Sequence, residues 1–216
     1  MKKILKRNTA FLLPYLLFLI VAGFFLATQA KSGIHIYING FHCAIVDKLA
    51  PYVTYLGSGI AVAILVLLLF CNYRFAIIAI GAYVISSIIT QGLKHTIFKD
   101  VLRPTAYFQN VHPLYFVPGV KMDLYHSFPS GHATTAFAVY FSLALIVEKK
   151  WAKFLFLIVA LSVAYSRVYL SEHFLNDVYF GSIIGVSSAL FSYYMVENSK
   201  LLSEKTWLNH SLISKK

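Results

Sequence analysis

Residues 151–196 read WAKFLFLIVALSVAYSRVYLSEHFLNDVYFGSIIGVSSALFSYYMV. Two apolar runs, about Trp151–Ala164 and Val178–Val196, flank a polar stretch holding an arginine, a histidine and two acids. A helix needs about 20 mostly apolar residues to cross a bilayer. Four further runs qualify or come close: about Phe11–Ala30, Val53–Cys71, Phe75–Leu93 and Ala133–Val147. Ala133–Val147 and Trp151–Ala164 are short as apolar runs, so their helices are expected to continue into the adjoining polar residues. The pattern predicts an all-α, polytopic membrane bundle of six transmembrane helices.

Composition agrees with that reading. Of 216 residues, 59% are hydrophobic, 16% aromatic and only 12% charged, with mean hydropathy +0.70. A soluble domain carries about twice that charged fraction; the composition excludes a disordered chain and disfavours a water-soluble globule. The net charge of +11 does not point to nucleic acid, because the basic residues sit at the edges of apolar runs and no binding module surrounds them. In a membrane protein such an excess reports topology and anionic lipid. Cys43 and Cys71 have no metal-ligand spacing and read as buried thiols. No repeat or low-complexity tract occurs, and residues 1–216 read as one membrane-embedded domain.

Lysine and arginine set the orientation. One side of the six-span topology holds Lys2, Lys3, Lys6, Arg7, Arg74, Lys149, Lys150, Lys153, Lys200, Lys205, Lys215 and Lys216. The other holds Lys31, Lys48, Lys94, Lys99, Arg103, Lys121 and Arg167. The excess predicts cytoplasmic termini in an inner (plasma) membrane. Met1–Ala30 has the outline of a signal peptide, but its apolar run exceeds the roughly 7–15 residues of one and reads as a retained span.

The polar residues gather at the outer ends of spans three to six, in Lys94–Pro104, Phe128–His132 and Ser166–Asp177. An ionisable group at membrane depth costs roughly 2.5–3.5 kcal/mol even on mild scales, so several on one side imply a shared purpose. Pro129-Ser130-Gly131-His132 precedes an apolar helix. Ser130 is placed as its N-cap, Gly131 permits close approach to the backbone, and the free amides of a helix start favour an anion; an ordinary cap beside a histidine fits equally. His173 and Asp177 are four apart and share a helix face, where a carboxylate can fix the imidazole tautomer. Arg167 offers a fork suited to phosphate, or a structural ion pair with Glu172 or Asp177. Lys94 and Arg103 add cations, or form a basic loop against lipid headgroups. Together the clusters describe a phosphoryl site with cationic charge stabilisation and no acidic metal cage.

In these motifs the chain resembles the type 2 phosphatidic acid phosphatase superfamily, the lipid phosphate phosphatases, which share their site with bacterial acid phosphatases and vanadium haloperoxidases. The family motifs are Lys-x6-Arg-Pro, Pro-Ser-Gly-His and Ser-Arg-x5-His-x3-Asp, and the last two stand unaltered at Pro129–His132 and Ser166–Asp177. The first departs: eight residues separate Lys94 from Arg103, strict spacing falls on Thr96, and Lys99 is a nearer alternative. Lys94, at the end of the third span, is the favoured choice, with a local bulge absorbing two residues. The resemblance implies an enzyme whose His173 is the phosphohistidine nucleophile, oriented by Asp177. His132 is then the proton donor to the leaving group and the activator of water. Lys94, Arg103, Ser130, Gly131 and Arg167 hold the phosphoryl oxygens. It implies no metal, no other cofactor, and an active site at the outer (periplasmic) interface.

The implied reaction is metal-independent hydrolysis of a phosphate monoester or pyrophosphate on a membrane lipid. Similar proteins act on lipid A phosphates, undecaprenyl pyrophosphate, phosphatidylglycerophosphate or phosphatidic acid. The same residues would serve a lipid phosphotransferase, and the cationic pocket alone would serve a non-catalytic lipid-phosphate binding or transport protein. The stretch Thr105–Ser127, rich in Tyr, Phe and His, reads either as a cap over the headgroup or as an interfacial aromatic belt. Gly181-x3-Gly185 reads as close helix packing within the bundle.

Overall fold

Each apolar run is helical, because a backbone surrounded by hydrocarbon satisfies its N–H and C=O groups only within its own segment. The computed structural model describes residues 2–199 and 205–213; Lys200, Lys215 and Lys216, counted above among the cytoplasmic cations, lie outside the described residues. In chain order the helices are α1 (Lys2–Arg7), α2 (Thr9–Thr28), α3 (Lys31–Asn39), α4 (Ala44–Val53), α5 (Gly59–Cys71), α6 (Tyr73–His95), α7 (Pro104–Phe108), α8 (Gly131–Ile146), α9 (Lys150–Tyr169) and α10 (Leu175–Asn198). No strand occurs among the described residues.

Among the described residues four helices, α2, α6, α9 and α10, are long and apolar enough to cross a bilayer, and the bent pair α4–α5 makes a fifth if it is one span. The remaining apolar helix, α8, has 16 residues, fewer than the ~20 of a free-standing span. Its place explains the shortness: eleven of its 16 residues are buried, against three of 20 in α2. α8 is the axis of the bundle, with α6, α9 and α10 packed around it. The outer faces are apolar too, as on α2, where Leu13, Leu17, Ile20 and Phe24 are exposed.

The run Val53–Cys71 is broken, where hydropathy suggested one continuous span. A 3-10 turn occupies Thr54–Gly57, and the chain bends by 40° before α5. The reason is a close approach. A Cβ on Gly57 would lie 2.7 Å from the His132 carbonyl oxygen and 2.5 Å from Val163 Cγ1, so the turn is pressed against the first turn of α8. The cysteines also differ from expectation: both are free and exposed, Cys71 at the end of α5. Burial does not separate apolar from polar on a lipid-facing surface.

Gly181 and Gly185 seat α10 directly on the α8 backbone, as the sequence suggests. A Cβ on Gly185 would stand 2.5 Å from Thr134 O and 2.8 Å from Ala138 N. No rotamer change relieves a clash with backbone. Gly185→Leu is therefore expected to lower stability by about 3 kcal/mol, the upper range for overpacking, read as an earlier thermal unfolding in detergent. Gly92→Ala is the control, since nothing lies within 4 Å of its added Cβ, and it should leave stability level or raise it.

The bundle is polarised end to end. Arg7 donates to Leu145 O (3.4 Å) and Lys153 Nζ to Asn8 Oδ1 (2.6 Å) at one end. Lys94, the start of α8, Arg167 and Asp177 come together at the other.

Candidate active site

The third motif is built where α9 stops and α10 starts. Ser171 adopts a left-handed backbone, φ 55°, which costs a non-glycine residue about 1–2 kcal/mol. Its hydroxyl holds the turn in place through His35 Nε2 (3.1 Å) and Asn39 Nδ2 (3.2 Å). The reversal lets the N–H groups of Glu172 and His173 both donate to Arg167 O, at 3.0 and 3.1 Å. Asp177 then sits at the third position of α10, where its Oδ2 accepts the Phe174 N–H (3.0 Å) and the Ser127 hydroxyl. His173 Nδ1 lies 3.4 Å from the same oxygen. His173 is fully buried, and burial, reinforced by Arg103, Arg167 and Lys94, holds its pKa well below the ordinary 6.5. It is neutral at physiological pH, and the Asp177 carboxylate beside Nδ1 favours the tautomer that carries its proton there.

One cavity of about 450 Å³ collects six of the eight site residues named from sequence: Lys94, Arg103, Gly131, His132, Arg167 and His173 line it. Asp177 and Ser130 stand behind its wall. Ser130 is the residue before α8 but makes no cap bond. Its N–H goes to Asp177 O (3.0 Å), while its hydroxyl is buried without a partner. The first amides of α8 thus lack the expected side-chain acceptor. Lys94 is buried at the cavity, whereas Lys99 and Thr96 are exposed, Thr96 Oγ1 being bonded to Gly92 O (2.7 Å). Between Lys94 and Arg103 the chain leaves α6 after His95 and turns before α7.

Glu172 is the residue whose place the sequence leaves undecided. Its Oε2 accepts from Arg103 Nη1 and lies 3.3 Å from Arg167 Nη2, so one carboxylate ties the two guanidinium groups together. Arg167 pairs with Glu172, leaving Asp177 to His173. Arg103 also donates from Nε to Tyr125 O (3.0 Å) and lies 3.4 Å from Asp123. Arg167 Nη1 donates to Thr54 Oγ1 (2.7 Å), and its Nε is buried without a partner. Thr54 and Gly57 were signalled only by the Gly57-Ser58-Gly59 interruption of an apolar run, and Asp123 by no local pattern.

The segment Thr105–Ser127 contributes Asp123 to the cavity lining, and it is clamped by Tyr115 to Asn39 and Asp47. Val111, Phe116 and Tyr125 are exposed on its outside. Among the described residues no group of three His, Cys, Asp or Glu side chains is arranged to hold a metal ion.

His35, which supports Ser171, is packed between Phe108 and Phe174, with ring centroids 5.7 and 5.3 Å away. Burial lowers its pKa from 6.5 to about 4. The unfolded chain binds that proton near 6.5 and the folded one only near 4, so stability is full above 6.5 and falls as pH drops toward 4. The difference amounts to about 3 kcal/mol. Thermal unfolding in detergent should show this loss between pH 7 and 4.5, and His35→Phe should flatten it; parallel curves for the two proteins would refute the assignment.

Several known proteins are similar to this chain. The chain is 32% identical to undecaprenyl-diphosphatase of Sulfolobus acidocaldarius over 126 residues, 58% of this chain and 57% of that protein. It is 29% identical over 109 residues to lipid A 1-phosphatase of Rhizobium etli, 49% and 46% of the two chains. It therefore spans about half the length of the curated relatives it matches. The crystal structure of Aquifex aeolicus LpxE has the same fold, with TM-score 0.66 at 24% identity over 74% of this chain and 92% of that one. The family model of the PAP2 superfamily matches residues 75–201. That match exceeds half of the sequence and takes in all three motifs from Lys94 to Asp177: the chain belongs to the PAP2 superfamily.

Proposed function

We propose that the protein is a membrane lipid phosphatase that hydrolyses a phosphate monoester or diphosphate through a phosphohistidine on His173, without a metal or other cofactor. The observation that carries the reading is the neutral His173, backed by Asp177, in one cavity with His132 and three cations. Nε2 of His173 attacks phosphorus, and the bond to the leaving oxygen breaks as His132 supplies its proton. Water then attacks the phosphoramidate while His132 takes its proton, releasing inorganic phosphate and restoring His173. Lys94, Arg103, Arg167 and the Gly131 amide balance the charge on the phosphoryl oxygens. Ser130 contributes from behind the wall.

On this reading the chain is one membrane-embedded domain with α8 as a sixth span, thin because protein surrounds it. The site faces the periplasm or exterior, with the termini cytoplasmic, as the distribution of lysine and arginine favours. Candidate substrates are lipid A phosphate, undecaprenyl pyrophosphate, phosphatidylglycerophosphate and phosphatidic acid; two of these chemistries appear in the names of the relatives above. The test is inorganic phosphate release by detergent-purified protein from these lipids with EDTA present and His173→Ala as control. Release that the substitution abolishes supports the reading. Phosphate appearing only on a second lipid would make the protein a phosphotransferase. Lipid binding that survives His173→Ala without any turnover would make it a binding protein.

Asp177→Asn gives a finer test. The Phe174 N–H requires an oxygen at the Oδ2 position, so the new amide keeps its oxygen toward His173 and preserves the tautomer. Only the negative charge is lost. A charged hydrogen bond contributes about 1.5–3 kcal/mol, so kcat should fall about 10- to 100-fold, short of the ~10⁴-fold loss that accompanies a tautomer flip.

A further inference from the structure

The cavity does not end at the phosphate-binding cations. It continues down α6, where Tyr83, Ser87, Thr90, Gln91 and Lys94 follow at helical spacing on one face and all line it. At 1.5 Å per residue, Ser87 lies about 10 Å and Tyr83 about 16 Å along the helix axis from Lys94, into the span. Thr135 joins them from α8. The other face of α6 carries Val84, Ile88 and Ile89, exposed as lipid-facing residues are. Thr90 Oγ1 donates to Thr134 Oγ1 (3.3 Å). Among the described residues, the side chains of Tyr83, Ser87, Gln91 and Thr135 have no hydrogen-bond partner. The polar atoms of Tyr83, Ser87 and Thr135 are open to the cavity and Gln91 is exposed, and a transmembrane helix tolerates such groups where they line a polar space. Four together, directly beneath a phosphate site, call for a ligand that carries hydrogen-bonding groups at the same level.

We infer that this stripe is the subsite for the part of the lipid next to its phosphate, and that the substrate bears its phosphate on an oxygen-rich scaffold, a sugar or a glycerol ester, rather than on a polyprenol. The inference rests on the phosphatase reading. In a polyprenyl phosphate or diphosphate the hydrocarbon starts no more than one further phosphate below the scissile group, which would leave Ser87 and Tyr83, about two and three helical turns from Lys94, facing CH₂ groups. In a glucosamine or diacylglycerol phosphate, hydroxyl, amide or ester oxygens continue below the phosphate. The serine, threonine and tyrosine hydroxyls offer donors to them, and Gln91 offers both donor and acceptor.

The test compares kcat/KM of the purified protein for lipid A phosphate, phosphatidylglycerophosphate, phosphatidic acid, undecaprenyl phosphate and undecaprenyl pyrophosphate, before and after the double substitution Ser87→Val, Gln91→Leu. The sugar or glycerol class is expected to exceed both undecaprenyl substrates by at least about tenfold. The double substitution should narrow that ratio about tenfold, chiefly through KM, because those hydrogen bonds form on binding. The preferred arm, lipid A or the glycerolipids, identifies the scaffold. Undecaprenyl substrates ranking first, or a ratio that the substitutions leave unchanged, would overturn the subsite and leave the phosphatase reading standing. If the variant does not fold, the ranking by the unsubstituted protein decides. A folded protein that releases phosphate from none of the lipids would overturn both.

Discussion

His173→Ala is expected to reduce lipid phosphate hydrolysis by at least about 10⁴-fold, the order lost when a covalent nucleophile is removed. The protein should still fold. Asp177, the one buried acid whose partner is deleted, keeps the Ser127 hydroxyl and the Phe174 N–H, so no charge is stranded. The Arg103 and Arg167 guanidinium groups remain tied through Glu172. Brief incubation with ³²P-labelled lipid phosphate should label the unsubstituted protein with an acid-labile, base-stable phosphoramidate and leave the His173→Ala protein unlabelled. Normal turnover, or equal labelling of the two proteins, would remove His173 from the mechanism. A supporting readout is the ¹⁵N resonance pattern of the His173 ring. Burial and the surrounding cations hold its pKa well below 6.5, so the neutral Nδ1–H form should persist at pH 6.5.

His132→Ala should lower kcat by about 10²–10⁴-fold, the range for loss of a general acid–base group. His132 lines the cavity from the first turn of α8, and its carbonyl marks where the Thr54–Gly57 turn presses in. The size of the loss should depend on the leaving group. An alkyl phosphate needs a proton on its departing oxygen, whereas p-nitrophenolate leaves without one. The substitution should therefore harm hydrolysis of lipid phosphates more than that of p-nitrophenyl phosphate. Equal losses on both would show that His132 binds or supports rather than transfers a proton. The labelled phosphoenzyme should also accumulate, since the same ring is assigned to activate the water that discharges it.

Much of this site can be read locally. Arg167, His173 and Asp177 lie within eleven residues, and the reversal at Ser171 that joins them is a helix-end feature. Pro129–His132 marks a helix start wherever it stands. The choice among Lys94, Thr96 and Lys99 is not local, because it turns on where α6 ends. The double role of Glu172 is not local either. Arg103 is 69 residues away from it, and a carboxylate of that reach has several cations to choose from. The break at Ser58 was legible only as Gly57-Ser58-Gly59 inside an apolar run, and its cause, contact with His132 and Val163, belongs to the packed bundle.

The sequence by itself determined that the chain is helical and membrane-embedded, since apolar runs of this length leave the backbone no other way to satisfy its polar groups. It also named the residues of the three motifs. Only the tertiary structure decided which carboxylate faces which cation, that Ser130 leaves its cap unmade, and that the polar face of α6 looks into the cavity rather than into lipid. Periodicity places residues on a common face, but what that face meets depends on packing against elements far away in the chain, here α8 and the Thr54–Gly57 turn.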